Sequence, residues 1–89
     1  MPSVRFTSHL RHVVPTVAIP VESGTLRAVL DQVFARHPKV RSYVLDDQER
    51  LRKHVVIFVD GARVEAGDNL KRILSHESEV FVLQALSGG

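Results

Sequence analysis

The sequence predicts an α+β domain, a mixed sheet of four to five strands packed on one main helix. Three observations carry this. Apolar residues alternate with polar ones near the start, where Val4 and Phe6 bracket Arg5, the period of a half-buried strand. Between Leu26 and Arg36 the apolar positions Leu26, Val29, Leu30, Val33 and Phe34 recur at helical spacing. From His54 to Val59 the chain is almost continuously β-branched and apolar, and the turn pair Asp60-Gly61 closes the run. A single helix beside several strands has to cover one face of one sheet.

Taken in order, the first strand pattern runs through Val4, Phe6, Ser8 and Leu10. A second extended run follows from Thr16 to Val21, with Val17, Ile19 and Val21 on one side. Pro15 and Pro20 flank or interrupt it, and proline has no amide to give a ladder, so this strand belongs at a sheet edge. Glu22-Ser23-Gly24-Thr25 reads as a turn, with Thr25 as the N-cap of the helix. His37-Pro38 ends that helix, because the residue before proline resists helical geometry. Lys39–Lys53 is ambiguous: Val40, Tyr43, Val44 and Leu45 suit a short strand or a turn of helix, and Asp46-Asp47-Gln48-Glu49 a polar loop. Ala62-Arg63-Val64 is a short returning strand. Ala66-Gly67-Asp68-Asn69 is another turn, a brief helical turn is expected near Leu70–Leu74, and Glu79–Leu83 is the last strand. No repeat or linker interrupts residues 1–89, which read as one domain with a flexible tail from about residue 84.

Composition narrows the function. With 89 residues and a 44% apolar share, the chain suits a small globular unit with a modest core. No apolar stretch approaches the ~20 residues of a membrane span. The start, Met1-Pro2-Ser3-Val4-Arg5, lacks a secretory layout, so a cytoplasmic location is expected. Cysteine is absent, which removes disulfides, thiolate metal sites and cysteine nucleophiles. Twelve Lys+Arg against ten Asp+Glu leave +2, without the one-sided gathering of charge that nucleic-acid binding uses. The glycines are dispersed and no Gly-Lys-Ser/Thr occurs, so the chain has no phosphate-binding loop of its own.

The feature that points to a working group is Gly88-Gly89, six residues beyond the apolar run Val80-Phe81-Val82-Leu83. Two residues without Cβ can lie extended in a channel too narrow for any other side chain. At ~3.3–3.6 Å per residue, Gln84–Gly89 can reach roughly 20 Å from the body, into the active site of another protein. The plainer account of such an ending is a frayed terminus.

This order of elements, with His54-Val55-Val56-Ile57-Phe58-Val59-Asp60-Gly61 in the middle and Leu86-Ser87-Gly88-Gly89 at the end, resembles the β-grasp fold of ubiquitin-like proteins. Within that fold it most resembles the small sulfur carriers of the ThiS/MoaD family, over essentially all 89 residues. Two places depart from the family pattern. The turn before the last strand, Ser75-His76-Glu77-Ser78, has no glycine, and Leu86-Ser87 stands where Val-Ala is common.

The resemblance implies a protein co-substrate rather than an enzyme, with no bound cofactor. An E1-like adenylating enzyme would use ATP to activate the Gly89 carboxylate. A sulfur donor would convert it to a thiocarboxylate, and a sulfur-accepting biosynthetic enzyme would receive the sulfur. The pathway (cysteine, molybdopterin, thiamine or a related product) stays open. Gly88, Ser87 and Leu86 would be the tail that the partner recognises. The alternative is a ubiquitin-like modifier, conjugated through Gly89 to lysines of target proteins.

Strand parity suggests where a partner docks. If Val55, Ile57 and Val59 face the helix, Val56 and Phe58 face away, and in the last strand Phe81 and Leu83 do the same. Phe58, Phe81 and Leu83 then form an exposed apolar patch at the root of the tail, of the kind that marks a protein partner. The opposite parity, or a cover formed by Lys39–Lys53, would remove it. Other candidates are weaker. The five histidines fall in separate segments, where surface positions account for them better than a metal site. The acidic run at Asp46–Glu49 reads as a solvated turn rather than a catalytic pair. Arg50, Arg52, Lys53 and His54 form the one basic cluster, placed to steer an acidic partner or simply to solvate a strand entry.

Overall fold

The computed structural model describes residues 1–64 and 70–84, with the backbone alone at Gln84. The expected turn at Ala66–Asn69 lies outside the described residues. Five strands form one mixed sheet: β1 (Ser3–Phe6), β2 (Ile19–Pro20), β3 (Val55–Val59), β4 (Ala62–Arg63) and β5 (Glu79–Gln84), in the order β2-β1-β5-β3-β4. The β1–β5 pair is parallel and the other pairs are antiparallel. Helices α1 (Leu26–Arg36) and α2 (Pro38–Val44) complete the fold. Val4, Phe6, Ile57, Val59, Val80 and Val82 of the sheet join Leu26, Val29, Leu30, Val33 and Phe34 of α1 in one buried core.

Helix α1 forms as the sequence expects, and every amide of its first turn is accounted for. Thr25 Oγ1 accepts from the Ala28 amide at 3.1 Å, and the Val29 amide reaches the Thr25 carbonyl at 2.9 Å. The Leu26 and Arg27 amides, which have no partner inside the helix, donate to the carbonyls of Arg72 (2.8 Å) and Leu70 (2.9 Å). Those bonds explain why Leu70–Leu74 is not the helical turn its sequence suggests. The segment lies extended across the helix start, with Leu74 N–H bound to the Gly24 carbonyl at 2.9 Å and Ile73 bridged to Thr25. Leu70 and Leu74 are buried, whereas Ile73 is exposed. Orphan helix amides here outcompete the local preference of five residues.

A second helix stands where one helix was expected. Pro38 occupies the first turn of α2, a position where its missing N–H costs nothing. The same His37-Pro38 step that stops α1 therefore starts α2. Val40 and Val44, one turn apart, are fully buried. Seven residues containing Val40, Tyr43 and Val44 have little intrinsic helicity, so tertiary packing supplies the stability. The first two strands are shorter than expected. After Phe6 the chain turns into a 3₁₀ helix at Ser8–Leu10, and the Val13 and Val14 amides both return to the Leu10 carbonyl. Leu10 and Val14 are thereby buried instead of continuing a strand. Only Ile19–Pro20 of the expected Thr16–Val21 run is strand, and Val17 points into solvent. Its position at the sheet edge is as the prolines predict.

Asp60 (φ 52°) and Gly61 (φ 83°) both lie in the left-handed region, the geometry of a type I′ hairpin turn. Asp60 also ties the turn to β5: its amide donates to the Glu79 carbonyl, and its Oδ1 accepts from the Glu79 amide, each at 2.9 Å. Ser78, just before β5, is buried yet satisfied, accepting from the Ser75 amide at 2.9 Å and sharing a hydrogen bond with its hydroxyl at 3.0 Å.

Replacing Thr25 with Ala removes the side-chain cap and leaves one amide unpaired. The expected loss is ~1 kcal/mol, which in a thermal melt appears as a Tm lower by ~4–8 °C. An unchanged Tm contradicts the role given to this cap.

Candidate functional site

Strand β3 alternates buried, half-buried, buried, half-buried, buried, so Val55, Ile57 and Val59 face the helices while Val56 and Phe58 face away. In β5, Val80 and Val82 are buried, Phe81 is 40% exposed and Leu83 is half-buried. The strict alternation of these two strands gives the parity read from the sequence. Lys39–Lys53 does not cover the outer face, since its helical part inserts Val40 and Val44 into the core beside α1.

Register brings the three expected docking residues together and adds more. Phe58 lies directly opposite Phe81, and Val56 opposite Leu83. Directly opposite residues share a face, so Val56, Phe58, Phe81 and Leu83 make a two-by-two apolar block. Phe81 is also paired with Arg5 on β1, and Phe58 with Arg63 on β4. One row therefore crosses four strands as Arg5, Phe81, Phe58, Arg63. The next row holds Ser3 opposite Glu79, with Asp60 bonded to Glu79. Between the two rows lies a shallow depression of about 420 Å³, lined by Arg5, Phe58, Asp60, Gly61, Glu79 and Phe81 among others. Arg5 and Arg63 are exposed. Their part in the patch escaped the sequence reading because it depends on β1 and β4 flanking the β5–β3 pair, which only strand order reveals. The one available signal was the outward parity of Arg5 between Val4 and Phe6.

Gly89, Gly88, Ser87 and Leu86 lie outside the described residues. Strand β5, which bears Phe81 and Leu83, is the element that leads to them.

The other sequence candidates have structural partners. Asp46 Oδ1 accepts from the amides of Gln48 and Arg50, both at 2.9 Å, which closes the polar loop as a side-chain-capped turn. The Arg50 amide, followed by that of Gln48, holds the Asp46 carboxyl below the usual carboxylate range. Glu49 accepts from Arg27 of α1 and, at 3.1 Å, from Arg41 of α2. These two guanidinium groups, Arg27 first, keep its carboxyl low as well. Arg27, which also holds Asp31 at 3.0 Å, is pushed up by the same contacts. Glu49 thus staples the loop to two helices while Asp46 closes the loop on itself, and both stay ionised, the opposite of what a proton donor requires. In the basic cluster, Arg50 pairs with Gln48 and Asp46, and Arg52 Nε donates to the Ser42 carbonyl at 2.6 Å. The histidines are dispersed: His12 meets Tyr43 OH at 3.2 Å, and His76 meets Ser23 Oγ at 3.3 Å. Among the described residues, no three potential ligands converge on a metal position, and no helix is long and apolar enough to cross a membrane.

Two measurements check these assignments. The Glu49 carboxyl, followed by NMR titration, should titrate below a free glutamate and move up in Arg27→Gln. A folded value below the unfolded one means that its stabilisation is present above the unfolded pKa and disappears as pH falls through the folded pKa. A midpoint that ignores Arg27 contradicts the staple. In thermal melts Phe81→Glu should cost ~1 kcal/mol or less, the worth of a cross-strand pair, whereas Val82→Glu buries a charge in the core and should prevent folding. Equal losses in the two variants contradict the outward parity.

No curated protein matches the chain. Among solved structures, it is similar to a chain of the Amycolatopsis orientalis BexX/CysO complex, with a TM-score of 0.85 at 20% identity over 100% of both chains. It is similar to Mycobacterium tuberculosis CysO, with a TM-score of 0.83 at 20% identity, covering 97% of this chain and 100% of that one. It is also similar to SAMP1 from Haloferax volcanii, with a TM-score of 0.80 at 22% identity, covering 99% and 98%. At these identities the likeness establishes the fold, the ubiquitin-like β-grasp. The ThiS family model matches residues 4–89. The chain belongs to the ThiS family, on the ubiquitin-like β-grasp fold.

Proposed function

We propose that this protein is a sulfur carrier, adenylated at the Gly89 carboxylate by an E1-like partner and then converted to a thiocarboxylate that donates sulfur in a biosynthetic pathway. The observation that carries the reading is a family match that runs through residue 89 and so includes Gly88-Gly89. A carboxylate is a poor electrophile. Its attack on the α-phosphate of ATP expels pyrophosphate and makes a mixed anhydride, whose AMP is a good leaving group for a sulfur nucleophile. The positioning and charge stabilisation for these steps come from the partner. This chain supplies the substrate group and the handle.

The handle is the outer sheet face. Phe58, Phe81 and Leu83 dock the activating enzyme, while Leu86, Ser87 and Gly88 thread the tail toward its nucleotide. Burying one such side chain contributes ~1.5–3 kcal/mol to association. The acceptor is a biosynthetic enzyme, and the carrier works in the cytoplasm, where ATP-dependent activation takes place. A modifier role uses the same activated Gly89, with a lysine amine in place of the sulfur nucleophile. A protein named small archaeal modifier protein 1, from Methanosarcina acetivorans, shares the fold with a TM-score of 0.82.

Intact mass measurement on protein purified from its native host separates these readings. A mass increase matching one oxygen replaced by sulfur is the expected result, and it should vanish when Gly89 is deleted. Covalent adducts to other proteins, abolished by the same deletion, would favour the modifier. An unmodified mass together with function that survives the deletion contradicts both.

A further inference from the structure

We propose that the outer face is read by a partner surface with an apolar ridge between two carboxylates, which pair with Arg5 and Arg63. The inference rests on the carrier reading above and specifies the activating enzyme's side of the contact. Its basis is register: Arg5 faces Phe81, Phe81 faces Phe58 and Phe58 faces Arg63. Three interstrand spacings of ~4.8 Å separate the ends, so the two arginine backbones stand ~14 Å apart with two aromatic rings between them. Both arginines are exposed, and among the described residues neither has an ion-pair partner. Arg27, Arg41 and Arg50, by contrast, are committed to Asp31, Glu49 and Asp46.

The rows on either side give the footprint a direction. Toward the start of β5 lie Glu79 and Asp60, and the Asp60 carboxylate already accepts from the Glu79 amide. Toward Gln84 lie Leu83 and Val56. A partner therefore meets an acidic edge, then arginine–aromatic–aromatic–arginine, then an aliphatic pair leading to the tail. The depression of about 420 Å³ at Phe58, Phe81 and Glu79 takes one apolar side chain of the ridge. Guanidinium groups bind carboxylates through two parallel hydrogen bonds, so the flanking arginines fix position as well as sign. A carboxylate placed over the Glu79–Asp60 edge instead would be repelled, and that sets the orientation in which the tail points to the nucleotide. Aromatic anchors govern how long the complex lasts, while rim charges govern encounter and salt dependence.

The test is pyrophosphate exchange by the adenylating enzyme of the same host, with this protein as the varied substrate at low and high salt. Arg5→Glu combined with Arg63→Glu should raise KM by about tenfold or more at low salt, with kcat nearly unchanged and a smaller penalty at high salt. Arg5→Gln with Arg63→Gln should raise KM less. Arg5→Lys with Arg63→Lys should retain most of the affinity. Lys39→Glu, a reversal at an exposed position of α2, should leave KM unaltered. Phe58→Ala should weaken the interaction equally at both salt concentrations. If wild-type protein supports exchange and the charge-reversed variant keeps the wild-type KM, or if Lys39→Glu raises KM as much, this inference is overturned and the carrier reading stands. If wild-type protein supports no exchange, both fall.

Discussion

Strand β5 is hydrogen-bonded on both sides, in parallel to β1 and antiparallel to β3, and its register sets the face of every side chain in the central sheet. A slip by one residue would turn Val80 and Val82 to solvent and drive Phe81 and Leu83 into the helices. Burial opposes any such slip, because Val4, Phe6, Ile57, Val59, Val80 and Val82 are all packed in the core. The Asp60 turn adds a second lock, binding the first residue of β5 through both a backbone and a side-chain hydrogen bond. The outer apolar block is a consequence of these constraints. Once the inner face is fixed, Phe58, Phe81, Val56 and Leu83 have to meet on the other side.

In the proposed docking role, that arrangement links stability to recognition through a division of labour within each strand. Alternate residues serve the core, so a change at their outward neighbours costs the fold little. The flanking arginines follow from the same geometry, because β1 and β4 lie on either side of the β5–β3 pair. The helical layer carries a separate set of charges. Arg27, Arg41 and Glu49 hold the loop after α2 against α1, and their ion pairs are satisfied internally. Arg27, Arg41 and Glu49 thus fasten the protein to itself, whereas Arg5 and Arg63 of the sheet are exposed.

Much of this was legible from sequence where local pattern and tertiary demand agree. The Leu26–Arg36 periodicity, the Thr25 cap, the Val55–Val59 run, the Asp60-Gly61 turn and the parity of β3 and β5 all follow from short-range rules. The misses share one cause, competition from distant groups. Leu70–Leu74 gave up a helical turn because the Leu26 and Arg27 amides needed its carbonyls. Pro38 reads as a stop from upstream and as a start from downstream, and only the burial of Val40 and Val44 decides that a helix follows. Ser8 and Leu10 continue an alternation that the chain abandons in order to bury Leu10 and Val14 in the core. The arginine row was hidden for a related reason, since it joins residues 5, 58, 63 and 81 through pairings between strands far apart in sequence.

The register of β5 is the claim on which the fold, the patch and the proposed docking footprint all stand. Interstrand NOEs between backbone protons test it most directly. The account predicts contacts that join Phe81 to Arg5 on one side and to Phe58 on the other, with Val82 contacting Ile57. Contacts linking Phe58 to Val80 or Val82 as its direct opposite would contradict it, because Phe58 and Phe81 would then no longer share a face.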